Sequence, residues 1–96
     1  MAAYVIVDCE IHDPEHYEQY KLRAKPLVEA HGGEYLARGG ELTIQEDDLW
    51  RPQRIVLLRF PSADQARAFY ASPAYQEVLA ISKASAKRSF VIVEGA

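Results

Sequence analysis

The stretch YVIVDCEI, Tyr4–Ile11, followed at once by His12, Asp13 and Pro14, decides how the chain begins to fold. Val5, Val7, Cys9 and Ile11 form one uniformly apolar face, while Tyr4, Ile6, Asp8 and Glu10 form a second that begins apolar and turns acidic. A period of two in β-branched residues is a strand. Asp13 then offers a carboxylate to an orphan backbone N–H, and Pro14 needs no partner at the first helical position, so the strand hands over to a helix. Along it Tyr17, Tyr20, Ala24, Leu27, Val28 and His31 recur at three- and four-residue spacing, which turns one stripe toward the sheet. Pro26 inside this stretch kinks the helix or removes one hydrogen bond, and Gly32 and Gly33 end it.

Further along, Glu34 to Arg38 reads as a second strand. The pair Gly39 and Gly40 marks a bulge or bend, with Leu42 to Gln45 as the expected continuation. Asp47 to Pro52 is a polar connection carrying Trp50. Arg54 to Phe60 contains the run Ile55, Val56, Leu57 and Leu58, which predicts a strand buried on both faces. Pro61 stops it, and Ser62 with Gln65 forms a capping box that opens a helix through Ala66, Phe69 and Tyr70. Ser72 and Pro73 restart that helix through Tyr75, Val78, Leu79 and Ser82, and Ser89 to Glu94 is the fourth strand. The order βαββαβ is the ferredoxin-like split arrangement of an α+β protein, with both helices on one face of an antiparallel sheet. The other face carries apolar residues from the third and fourth strands, and pairing with a second copy in a dimeric α/β barrel covers it.

Composition narrows the function classes. Ninety-six residues make one domain, and 49% hydrophobic with 26% charged residues is ordinary globular composition. A net charge of -3 with acids and bases interleaved argues against nucleic acid and anionic membranes as partners. The single cysteine, Cys9, excludes an internal disulfide and fits a reducing compartment. Without a basic, then apolar, leader pattern at Met1 to Val5, the expected location is cytoplasmic. His12 and His16 straddle the start of the first helix, so they do not share a face as metal ligands would, and no phosphate-cradling glycine loop is present. The expectation is no metal and no cofactor. Ser72 lacks a nucleophile elbow and sits at a capping position.

The runs HGGEYLARGG (His31–Gly40), WRPQR (Trp50–Arg54), FPS (Phe60–Ser62), FYASPAYQ (Phe69–Gln76) and the closing VIVEG (Val91–Gly95) together resemble domain-of-unknown-function family 1330, a member of the dimeric α/β-barrel superfamily. The resemblance runs nearly end to end. It departs after the Gly39–Gly40 turn, where the family carries a Glu-Gly pair before the tryptophan and this chain has Glu46 and Asp47. It implies the fold and a homodimer. For chemistry it implies only the range of the superfamily, which includes cofactor-free monooxygenases, haem-degrading enzymes, muconolactone-type isomerases and proteins without assigned activity. Fold analogy does not choose among these. If the protein is an enzyme, cofactor-free oxygenation or isomerisation is the first class to test.

Arg38 and Arg54 lie on strands joined as a hairpin, so their guanidiniums are placed to converge on a carboxylate or phenolate. For each alone, an ion pair to Asp8, Glu10 or Glu46 is the competing reading. Tyr70 and Tyr75 flank the Ser72–Pro73 break and, with Trp50, are expected to line an aromatic pocket, whereas Tyr17 and Tyr20 read as core. Asp8 is a candidate for acid–base work, with burial raising its pKa. His31 is the one histidine near the Arg38 strand and a candidate base; a helix C-terminal histidine favoured by the dipole is the alternative. Two functional readings follow. One is a homodimer binding a small organic molecule, anionic or aromatic, between sheet and helices. The other is a non-catalytic structural or stress-related dimer with a filled interior.

Overall fold

The computed structural model describes residues 1–96. The chain runs β1 (Ala3–Ile11), α1 (Pro14–Ala30), β2 (Glu34–Arg38), β3 (Ile55–Phe60), α2 (Ala63–Ala71), α3 (Pro73–Ser85) and β4 (Ala86–Glu94). Its strands form one four-stranded antiparallel sheet in the order β2-β3-β1-β4. This is the ferredoxin-like α+β arrangement, with the second helix broken in two. No helix is long and apolar enough to cross a membrane.

Local chemistry sets the boundaries. The Asp13 carboxylate accepts from the N–H of His16, the Ser62 hydroxyl from Gln65 and the Ser72 hydroxyl from Tyr75. Each side chain satisfies a backbone donor that the helix itself leaves open. Helix α1 is continuous through Pro26, and Gly32, at φ +79°, turns the chain back toward the sheet. The apolar face of β1 packs as the alternation requires: Val5, Val7 and Cys9 are buried under the helices with Leu58, Phe60, Phe69 and Tyr75. Each fully buried Val or Phe in such a core contributes about 1.5–3 kcal/mol.

Two sequence expectations need correction. Leu42 to Gln45 is not strand; β2 ends at Arg38, and no strand of the chain pairs with the following residues. Gly39 is the cause: its φ of +72° takes the backbone out of the extended region while its N–H still reaches the carbonyl of Ile55 at 2.8 Å. The bend expected at Gly39 is present, and a separate bulge lies inside β2, between Tyr35 and Ala37. The fourth strand begins at Ala86, three residues before Ser89, because α3 runs directly into it.

The residues between β2 and β3 are held to the sheet by Asp8. Its carboxylate accepts from the Trp50 indole at 2.7 Å and from the backbone N–H groups of Gln53 and Arg54 at 2.8 and 3.0 Å. Asp8 lies on the sheet face turned away from the helices, since its neighbours Val7 and Cys9 are buried beneath them. The expectation that burial raises its pKa is overturned. Burial alone acts upward, but hydrogen bonds from Arg54, Trp50 and Gln53 outweigh it and lower the value below the ordinary 3.8. All three donors favour the carboxylate over the acid. Stability from this anchor is therefore complete above the unfolded-state value and lost as pH falls through the lower, folded-state one. Trp50 is the single tryptophan, so its fluorescence should hold constant from pH 7 to about 4 and shift below that. Asp8→Asn should abolish this acid step and give the released spectrum at neutral pH; an unchanged titration would show that the indole is held by something else.

Candidate functional site

The face of the sheet beneath the helices carries three arginines. Arg54 immediately precedes β3 and its carbonyl accepts from the N–H of Cys9, while Cys9 pairs across with Arg88 on β4. Arg54, Cys9 and Arg88 thus form one row across three strands, with roughly 10 Å between the outer Cα atoms. Arg38 joins them from the edge strand, where it pairs with Val56. Strict alternation would set Arg38 and Tyr35 on opposite faces; the bulge re-aims Arg38 to the helix side. There its guanidinium lies 4.6 Å from the Tyr35 ring centroid and donates to the Lys21 carbonyl at 3.4 Å.

All three arginines line a single cavity between sheet and helices, walled mainly by apolar and aromatic side chains such as Val7, Val56, Phe69 and Phe90. It offers about 30 Å³ to the centres of water-sized molecules, enough for one or two waters. Lys21, Arg38 and Arg54 also line a wider open cleft against α1, of about 350 Å³ on the same measure, so these residues form the mouth. The chain contains five ion pairs, Lys21–Glu18, Lys25–Glu29, Arg51–Asp47, Arg59–Glu34 and Arg67–Asp64, and none uses Arg38, Arg54 or Arg88. The Arg54 guanidinium meets only the sulfur of Cys9, at 3.8 Å. Glu18 and Glu29 reach the outer cleft but are already taken by lysines.

Arg88 lines the cavity from β4 and also borders a separate surface pocket with Tyr70, Lys83 and Phe90; its guanidinium sits in a polar cluster. Its two terminal nitrogens donate at 2.9 Å each to the hydroxyls of Tyr20 and Tyr75, which lie 2.8 Å from one another. Burial raises the pKa of both phenols, more than the neighbouring arginine charge lowers it, so both stay neutral near pH 7. Burial, then the Cys9 thiol, push the adjacent Tyr17 up to about 12. The Tyr17 hydroxyl lies 3.6 Å from that sulfur.

The other expected site residues fall elsewhere. Asp8 and Trp50 sit on the opposite face of the sheet, where Asp8 serves the arginine site only by fixing the backbone of Arg54. His31 caps α1, with Nδ1 2.9 Å from the Leu27 carbonyl and its ring against Phe69; it does not line the cavity. Tyr70 packs between Tyr75 and Phe90, outside the cavity, while Tyr75 is fully buried behind it. No group of three or more His, Cys, Asp and Glu side chains is placed to hold a metal. Arg88 is the member that sequence reading missed; Tyr17 and Tyr20, expected in the core, are buried there and also line the cavity. Extending the alternation of Phe90 and Ile92 back by two residues sets Arg88 on the helix face, and this was the available signal.

Comparison with known proteins supports the fold. A protein of unknown function from Rhodopseudomonas palustris superposes with a TM-score of 0.76 at 15% identity, over 99% of this chain and 82% of its own. SnoaB, a cofactor-independent oxygenase from Streptomyces nogalater, gives 0.67 at 12% identity, over 99% and 93%. A dimeric ferredoxin-like protein of unknown function from Thermobifida fusca gives 0.67 at 22% identity, over 99% and 92%. No protein of curated function matches by sequence. The model of a domain of unknown function, DUF1330, matches residues 2–96, and the chain belongs to that family.

Proposed function

We propose that this protein binds a small organic anion in the cavity between sheet and helices, with Arg38 and Arg54 receiving the anionic group at the mouth. The observation that carries this reading is the convergence of Arg38, Arg54 and Arg88 on one cavity without a carboxylate partner. Arg54 and Arg88 are half-buried while Arg38 stays exposed at the mouth; a guanidinium drawn partly out of water needs acceptors, and a planar fork is best matched by a carboxylate. The apolar walls favour a ligand with a short hydrocarbon portion beside its charged end, which enters as the Lys21 and Arg38 side chains at the mouth rotate aside.

The bound form is a homodimer. On the face away from the helices, Val91 and Val93 are 53% and 45% exposed, in register beside Ile6 and Tyr4. Trp50 stands at the edge of the same surface with Ile6 and Val91. A second copy laid face to face covers this apolar strip, as sheet-on-sheet packing does. The ferredoxin-like relatives from Thermobifida fusca and Jannaschia are described as dimeric.

Both parts are testable. Titrating the protein with succinate in a thermal-shift assay should raise Tm by roughly 6 °C at ten times Kd. Arg38→Ala and Arg54→Ala should each weaken the response at least tenfold; equal responses in all three proteins would place the ligand away from the arginines, and no response in the wild type would favour the filled, non-binding interior. Light scattering at micromolar concentration should give twice the 10.8 kDa chain mass, and Val91→Glu should reduce it to the monomer. A monomeric wild type would refute the dimer.

A further inference from the structure

The Tyr20–Tyr75–Arg88 cluster is one acceptor short. Arg88 gives one hydrogen to each phenolic oxygen, and one phenol gives its hydrogen to the other. Neither hydroxyl makes any further hydrogen bond, so one O–H of the pair has no acceptor within the protein. The spare hydrogen can be located. Tyr75 is fully buried and does not line the cavity, and an unpaired hydroxyl hydrogen there would cost about 1–3 kcal/mol. Tyr20 does line it. The favoured arrangement has Tyr75 donating to Tyr20, which leaves the Tyr20 O–H as the free donor at the inner end.

Resting on the anion-binding reading above, we infer that the ligand is a short-chain acid with a second acceptor oxygen, an oxo or carboxylate group that takes the Tyr20 O–H while Arg38 and Arg54 hold the first carboxylate. Arg88 stands behind this second oxygen and adds a positive field to the hydrogen bond. Val7, Val56 and Phe90 supply apolar lining between these groups, and a cavity with room for one or two waters admits a chain of a few methylenes by rotation of the Lys21 and Arg38 side chains at its mouth. A simple monocarboxylate satisfies the mouth and leaves the inner donor unmet. An acid with an oxygen at each end satisfies both, and selectivity between them follows from leaving a buried donor unpaired.

The test compares pentanoate with 4-oxopentanoate by calorimetry, since the two share charge and chain length and differ by one carbonyl oxygen. Wild type should bind the oxo acid at least tenfold more tightly. Tyr20→Phe should reduce that preference to threefold or less while leaving pentanoate affinity within threefold of wild type. A merely structural role for Tyr20 would weaken both acids alike and preserve their ratio, which would overturn the inference. Equal binding of the two acids by wild type would overturn it without any variant, so a Tyr20→Phe protein that fails to fold does not shelter it. If neither acid nor succinate binds, or if Arg38→Ala and Arg54→Ala change nothing, the anion site itself fails and the inference falls with it.

Discussion

A guanidinium moved from water to the rim of an apolar core loses hydration that only other acceptors can replace. In this protein Arg54 and Arg88 are half-buried at one cavity with Arg38 exposed at its mouth, and the acceptors they find within the chain are few and weak: a thiol sulfur for Arg54, two phenolic oxygens for Arg88 and a backbone carbonyl for Arg38. Elsewhere on the surface, Arg51, Arg59 and Arg67 each meet a carboxylate. At the cavity the nearest carboxylates, Glu18 and Glu29 in the outer cleft, pair with Lys21 and Lys25 instead. Tyr17, Tyr20, Tyr35 and Phe69 form an aromatic lining around arginines that make no ion pair within the chain.

The scaffold explains how these groups meet. Cys9 on the central strand pairs on one side with Arg88 and hydrogen-bonds on the other to Arg54, so β1 sets the row. Asp8, one residue earlier and on the opposite face, fixes the Arg54 backbone from behind. Gly39 completes the approach, because a Cβ there would lie 2.7 Å from Nε of Arg54. An alanine at this position would be strained twice, by its positive φ and by collision with the side chain it is meant to pass. Adjacent residues of one strand therefore serve opposite faces: Asp8 orders the connection near the exposed apolar strip, and Cys9 sits under the helices in the row of arginines.

Much of the fold was legible because its signals are local. The alternation of Tyr4–Ile11, the caps at Asp13, Ser62 and Ser72 and the stripe Tyr17–Tyr20–Ala24–Val28 each rest on neighbours within a turn or a strand. The Ser72–Pro73 restart appeared as two helices for the same reason. What escaped depends on distant partners. Leu42 to Gln45 has strand composition but no strand to pair with, and Gly39 turns it away. The bulge at Leu36 depends on register against β3, and it decides the face on which Arg38 lies. The pairing of Arg38 with Arg54 as neighbours of one hairpin was readable; the third arginine was lost by starting β4 at Ser89, three residues too late. Asp8 and Trp50, expected separately as an acid–base candidate and a pocket residue, meet each other on the far side of the sheet from the cavity, a contact between residues 42 apart that no local pattern announces.

The arginine cavity is proposed as an anion site, and a halide small enough to enter it gives the most direct reading. Crystals soaked in bromide and measured at the bromine edge should show an anomalous peak within hydrogen-bonding reach of Arg38 and Arg54, displaced by added succinate. Bromide found only at exposed lysines and helix ends, with water alone between the arginines, would contradict the account.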